Sequence, residues 1–190
     1  MSSDMREAIV RTVKRLYSRH SYDEISLSQI MREGDIGKGA LYWHFPSKEA
    51  MFEAVFRQCY DEAVAATRAG VPEGEAGACE CLKRRLLGLL ALDSRDPEVL
   101  SVVQKHIRRL AQDEVESPFP YGAFKEDLLR HIRAGLATGE LAPLPESELL
   151  MLVHLHNKEL LAYVREHPEY RDRPAELDRI IDRLFRSIVP

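Results

Sequence analysis

No stretch of this 190-residue chain stays apolar for long enough to cross a bilayer. The longest apolar runs, Leu86 to Leu92 and Leu149 to Val153, fall far short of the roughly 20 residues that a spanning helix needs. Asp4, Arg6, Glu7 and Arg11 interrupt the first turns, so no signal peptide is legible; the expected location is the cytoplasm, with no membrane partner. Cysteine is scarce at three residues, and an odd count without a secretory segment argues against a disulfide framework. There is no convincing strand pattern, no glycine loop of the phosphate-binding kind, and no nucleophile joined to a base by a known motif. An enzyme is therefore not expected, and no cofactor is implied. Tryptophan occurs once, at position 43, and the pattern around it leaves that ring on the surface.

What the chain does have is helical periodicity almost throughout, over an apolar content of 45% that is enough for real cores. Met5, Ile9, Val13 and Leu16 make a first stripe. Met51, Val55 and Phe56 begin a longer helix expected from Ser47 to near Arg68. Gly70, Pro72, Gly74 and Gly77 then mark a joint. Beyond it, Leu82, Leu86, Leu89 and Leu90 form a stripe, Asp96 and Pro97 open a helix as N-cap and N1 residue, and Phe124, Leu128, Ile132 and Leu136 form another stripe. The net charge of −4 divides unevenly: residues 1–48 hold eight Lys/Arg against six Asp/Glu, and the remainder holds nineteen against twenty-five. The amino-terminal end is thus cationic, at +2, and the rest, at −6, is repelled by phosphates.

The most informative segment is Ile30 to Phe45, IMREGDIGKGALYWHF. On a helix from Lys38 to Phe45, Leu41 and Phe45 share one face while Gly39 and Trp43 share the opposite one, flanked by Ala40, Tyr42 and His44. The inner face is a core contact. The outer face is aromatic and cationic and carries a glycine where a helix former would be better, which suits close approach to a major groove rimmed by phosphates. Upstream, Ser26 to Gln29 has the S-x-x-Q form of a capping box, so a preceding helix starts at Leu27, and Gly34 and Asp35 stop it. Downstream, Pro46 and Ser47 end one helix and cap the next, which carries Lys48 in its first turn. A lysine there opposes the helix dipole, but beside free N–H groups it makes a phosphate clamp.

GDIGKGALYWHFPSKEAMF resembles the DNA-binding signature of the tetracycline-repressor (TetR) family of bacterial regulators, over Ile9 to about Phe56, with Gly39, Leu41, Tyr42, His44, Phe45 and Lys48 as its most specific positions. The resemblance implies an all-α fold: a three-helix helix-turn-helix DNA-binding domain over residues 1–46, then a helical ligand-binding and dimerisation domain over 47–190, with helix 47–69 connecting them. It places Lys38, Ala40, Tyr42, Trp43 and His44, with Gly39, near bases or phosphates, Ser26 and Ser28 near the backbone, and Lys48 on a phosphate. Where the family has Ala-Gly-Val-Ser, this chain has Gly34, Asp35, Ile36 and Gly37. The missing serine removes an N-cap and leaves the recognition helix prone to fray. The segment LLAYVREHPEY is weakly similar to AcrR-like members of the family.

The function expected is a ligand-responsive transcriptional regulator, in the family's usual sense a repressor, that binds a palindromic double-stranded operator as a homodimer and is released by a small-molecule effector. Apolar residues on several faces of the last two helices point to a subunit interface including Leu152, Leu160, Leu177, Ile181 and Leu184. His106, Phe119, Tyr121, Phe124 and His131 bring aromatic and titratable groups to adjacent helices and are the candidate effector contacts. The alternative is a metal- or thiol-sensing regulator using Cys79 and Cys81. Residues two apart diverge around a helix, so that pair, like His154 and His156, grips one ion only from an irregular loop.

Overall fold

Helix boundaries follow from caps that are visible atom by atom. The computed structural model describes residues 2–71, 76–113 and 122–190. Among these it has nine α-helices and no strand: α1 (Ser2–Arg19), α2 (Leu27–Gly34), α3 (Lys38–His44), α4 (Lys48–Ala69), α5 (Ala78–Arg95), α6 (Pro97–Asp113), α7 (Ala123–Thr138), α8 (Glu146–Glu166) and α9 (Pro174–Phe185), with short 3-10 turns at Pro168–Asp172 and Arg186–Ile188. The all-α expectation holds. Ser26 Oγ accepts from Gln29 N at 3.1 Å and starts α2 at Leu27. The reciprocal half of the capping box is absent, because the Gln29 amide donates instead to Glu33 at 3.2 Å. Ser47 Oγ accepts from Ala50 N at 3.0 Å and opens α4. Asp96 Oδ1 accepts from Glu98 N at 3.2 Å and opens α6, with Pro97 in its first position.

The turn between α2 and α3 divides its work between two residues. Asp35 takes the left-handed conformation, φ 51° and ψ 47°, and ends α2. Gly34 stays helical and is needed for space: a Cβ there would meet Ile36 Cδ1 at 2.3 Å and Thr12 Oγ1 at 2.9 Å. Ile36 can therefore return to the core against α2. α3 is helical over Lys38–His44 although Gly37 supplies no side-chain cap.

The chain divides into two compact units. The first spans Met1–Ala63 and Asp96–Phe119, so that it takes in α1, α2, α3, most of α4 and α6. Ile9, Val13, Ile25, Ile30, Leu41, Phe45, Phe52 and Phe56 are buried at its centre. α6 packs on α1: Ser101 Oγ and Lys105 Nζ both donate to Ser18 O, at 2.9 and 2.8 Å, and so satisfy a carbonyl at the end of α1. Lys14 of α1 pairs with Asp96 at the start of α6.

The second unit spans Val64–Arg95 and Pro120–Pro190. α5 is its spine, packing on α7, α8 and α9. Leu82, Leu86 and Leu89 of α5, Ile132 of α7, Leu149 and Val153 of α8, and Phe185 of α9 are all buried. The end of α4 lies close against α5 because residue 88 is glycine; a Cβ there would sit 2.1 Å from Ala66 O. The N-terminus of α5 is capped from a distance: Glu140 accepts from Ala78 N at 2.5 Å and Cys79 N at 2.9 Å, a carboxylate on the positive end of a helix. Asp93, buried in α5, accepts from Arg165 of α8 through Nε at 3.0 Å and Nη2 at 2.5 Å.

Candidate functional site

α3 presents two faces that differ completely in burial. Leu41 and Phe45 are buried in the first unit, which anchors the helix, while Trp43 is 73% exposed and Tyr42 is 46% exposed. The indole meets the ring of His44 edge-on, with centroids 4.6 Å apart. Lys38 and Gly39 are exposed on the same short helix, and Ala40 and His44 are half-exposed. A Cβ added to Gly39 meets nothing within 4 Å, so no packing inside the chain requires glycine there. Ser26 and Ser28 are exposed at the start of α2, where the Ser26 hydroxyl also serves as the helix cap.

Lys48 occupies the first turn of α4 and its charge is partly spoken for. Its Nζ donates to Tyr22 O at 2.6 Å and lies 4.0 Å from the centroid of the Tyr22 ring. This explains how a lysine is tolerated at a helix N-terminus: a carbonyl and a π-face offset the wrong-signed dipole. Partial burial lowers the pKa of Lys48, with Asp23 acting the other way. Arg109 of α6 stacks on the same ring, 3.7 Å from its centroid, and makes a two-bonded pair with Glu49. Burial is the main cause that pushes the Tyr22 phenol up to about 12. Tyr22 and Arg109 escaped the sequence reading because the contact joins residues far apart in the chain.

The candidate effector contacts are divided between the two units. His106 belongs to the first unit, whereas Phe124 and His131 belong to the second, and Phe119 and Tyr121 lie outside the described residues. His106 is fully buried, stacked on Phe56 with centroids 4.1 Å apart. Its Nε2 lies 3.2 Å from Glu53 Oε2 and its Nδ1 lies 3.4 Å from the Tyr17 hydroxyl, one hydrogen-bond partner for each ring nitrogen. Burial lowers its pKa, opposed by Glu53. It ties α1, α4 and α6 together. The physical reason for the difference is that helix periodicity assigns a face but not the partner across it.

In the second unit, Arg85 of α5 is 1% exposed and lies 5.6 Å from the centroid of the Phe124 ring. His131 has its pKa lowered by burial and then by the neighbouring Arg85. Arg85 was legible in principle, since it falls between Leu82 and Leu89 on the apolar stripe of α5, where a charged residue is out of place.

Three of the five residues expected at a subunit interface lie in the protomer's own core: Leu160, Leu177 and Ile181 are buried, while Leu152 and Leu184 are partly exposed. The large apolar side chains that α8 does expose are Met151, Leu155 and Tyr163. α8 and α9 carry apolar residues on several faces because α5 and α7 cover α8 and α5 covers α9. Cys79 and Cys81 sit buried in the first turn of α5 rather than in a loop, and burial raises both thiols. Among the described residues, no group of three or more His, Cys, Asp or Glu could hold a metal ion. No helix of the described residues is long and apolar enough to cross a membrane.

Residues 9–55 match the family model described as bacterial regulatory proteins, tetR family. A biofilm operon HTH-type negative transcriptional regulator, IcaR, of Staphylococcus aureus is 33% identical over 57 residues, 30% of this chain and 31% of that protein. The matched segment spans about a fifth to a third of the length of the curated relatives. Solved structures cover far more. A TetR family transcription regulator from Marinobacter aquaeolei VT8 superposes with a TM-score of 0.79 at 18% identity, over 98% of this chain and 96% of that one. A gamma-butyrolactone receptor, an ArpA-like protein, superposes with a TM-score of 0.69 at 21% identity, over 98% and 100%. At these identities the likeness is one of fold.

Proposed function

We propose, from the match of residues 9–55 to the model of the tetR family of bacterial regulatory proteins, that this chain is a cytoplasmic, non-enzymatic transcriptional regulator of that family that binds operator DNA as a homodimer. The observation that carries the reading is the exposed Trp43 face on a helix anchored by the buried Leu41 and Phe45. A large apolar ring held mostly out in solvent, touching only its neighbour His44 among the ring contacts of the described residues, fits contact with thymine methyls and sugars at a groove floor. Lys38, Tyr42 and His44 meet base edges or phosphates around it. Ser26, Ser28, the first N–H groups of α4 and the remaining donors of Lys48 hold the backbone on either side. Residues 1–46 act as the DNA-binding domain and 47–190 as the ligand-binding and dimerisation domain.

The action is repression, relieved by a small molecule that binds the second unit. Regulators of similar sequence and fold include one named for negative regulation and one named as a receptor for a small lactone. α4 is one unbroken helix that begins at Lys48 and crosses from the first compact unit into the second after Ala63. A ligand that favours a different tilt of α4 changes the spacing of the two recognition helices in the dimer, and a coupling of about 1–3 kcal/mol gives roughly 5- to 150-fold release. Sensing through Cys79 and Cys81 is the weaker reading, because their burial disfavours the thiolate that metal binding or redox chemistry needs.

Selection from a randomised duplex pool tests the reading. The chain should enrich an inverted repeat whose half-site centres lie one or more helical turns apart, about 34 Å or a multiple of it. A pool that stays random while the protein remains folded would remove sequence-specific DNA binding.

A further inference from the structure

Arg85 of α5 carries a buried charge whose hydrogen-bonding capacity the described residues leave largely unmet. It lies on the apolar stripe of α5, almost wholly buried. The acid it faces is Asp127 of α7, and that carboxylate is already held from both sides: Oδ2 accepts from Arg68 Nε at 2.6 Å and Oδ1 accepts from Arg130 Nη2 at 3.1 Å. Nη1 of Arg85 comes only to 3.8 Å from Oδ2, an ion pair without a hydrogen bond. Nε and Nη2 of Arg85 have no hydrogen-bond partner among the described residues, and Nε2 of His131, in the same neighbourhood, has none either. Three guanidinium groups thus gather around one carboxylate.

A guanidinium cannot shed its proton at physiological pH, so this site carries a permanent buried charge with two orphaned donors, an arrangement that is strongly destabilising unless something completes it. The orphaned donors are not arbitrary. Nε–H and the adjacent Nη2–H run parallel along one edge of the guanidinium plane, and that edge is the one that two oxygens of a carboxylate accept together. The Phe124 ring stands beside the group, with the guanidinium carbon 5.6 Å from its centroid, and the group is shielded from water. Low polarity strengthens the attraction for an anion.

We propose that the unpartnered edge of Arg85 is the anion-binding end of the effector site, and that the effector is a small organic acid, a carboxylate on an apolar body. His131 Nε2 supplies a further polar contact. The proposal rests on the reading that a small molecule binds the second unit, and it adds the ligand's chemical class and the residue that recognises it.

The test uses the full chain, with acetate, benzoate and octanoate against benzamide and octanamide at matched ionic strength, and inorganic phosphate as a separate arm. Binding is read by melting temperature and calorimetry. At least one of benzoate and octanoate should bind tenfold or more tightly than its amide, and Arg85→Met should abolish that preference. Arg85→Met should also melt no lower than wild type without ligand, since it removes a buried charge whose one ion pair lacks a hydrogen bond and keeps an unbranched apolar stem. Equal binding of acids and amides to wild type, absence of any carboxylate binding, or a preference that survives in Arg85→Met overturns the proposal. Arg85-dependent binding of phosphate alone overturns the carboxylate class. If Arg85→Met fails to fold, the acid-against-amide comparison in wild type still decides. A chain that selects operator DNA but shows no acid preference loses this inference and keeps the proposed function. Acids that bind through Arg85 without changing DNA affinity leave the site standing and remove its role in release.

Discussion

Arg109 and Glu49 are joined by two hydrogen bonds, Nη1 to Oε1 at 3.0 Å and Nη2 to Oε2 at 2.9 Å, so α6 is fastened to the first turn of α4 next to Lys48. The same guanidinium lies on the Tyr22 ring, which Lys48 also touches. Half of this pair is open to solvent, so its net worth is modest, about 0.5–1 kcal/mol for the ion pair, with the stacked ring adding a similar amount. Arg109→Ala should therefore cost about 1–2 kcal/mol in urea unfolding and Glu49→Ala less. A double-mutant cycle should return a coupling near the ion-pair value; a coupling of zero would mean that the two groups are neighbours without mutual stabilisation.

Trp43→Ala should leave folding almost unchanged, within about 0.5 kcal/mol, because the side chain is mostly exposed. Specific DNA affinity should fall by about 1–3 kcal/mol, and nonspecific affinity much less. Lys48→Ala should behave differently: binding to all sequences weakens and the salt dependence drops by about one unit. Because Lys48 also holds Tyr22 O, this variant should lose some stability as well. Electrophoretic titration at several salt concentrations separates the two. Unchanged affinity in both would exclude this face as the DNA site.

His106 sets a pH dependence with a definite sign. Its folded pKa lies below the ordinary 6.5, chiefly through burial, against the pull of the facing Glu53 and with Arg109 adding to the depression. Glu49 acts in the same sense as Glu53, and the Tyr17 hydroxyl completes the contacts. The unfolded chain therefore binds this proton first. The stability from a neutral, buried imidazole is complete above about pH 6.5 and is lost as pH falls toward the folded value, with a slope of at most about 1.4 kcal/mol per pH unit. His106→Gln should flatten the denaturant midpoint against pH below 6.5. A profile parallel to that of wild type would show that folding does not shift the pKa of this imidazole.

The proposed dimer surface can be separated from the core by where a charge is placed. Leu155→Asp, alone or with Met151→Asp, should split the dimer and leave the protomer folded, since both side chains are exposed on α8. Ile181→Asp should instead destabilise the protomer itself by several kcal/mol, because residue 181 is 2% exposed. Light scattering with circular dichroism reads both. A folded dimer in the Leu155 variant would place the interface elsewhere.

Local signals carried much of the fold into the sequence. Ser26 as a cap, Asp96 followed by Pro97, and the opposition of Leu41 to Trp43 are each properties of a few adjacent residues, and all three appear as read. What lay beyond reach was partner choice. His106 shares a periodic apolar face with its helix whether that helix meets the bundle or α1, and only the tertiary structure puts it against Tyr17 and Phe56. Excess apolar residues on α8 and α9 read equally as a subunit interface or as packing on more than one neighbour. For Leu160, Leu177 and Ile181 the second holds. Arg85 is the opposite case, a polar intrusion in an apolar stripe whose meaning rests on which acids are already taken by Arg68 and Arg130.

Trp43 offers the most direct measurement, because it is the chain's single tryptophan and stands at the centre of the proposed DNA face. Its emission should be followed while a selected duplex is added, with binding monitored in parallel by anisotropy of a labelled end. The account predicts quenching and a blue shift that track the anisotropy curve and saturate at one duplex per two chains, with a much smaller change on unrelated DNA. Saturable binding of the selected duplex with Trp43 emission unchanged would contradict it.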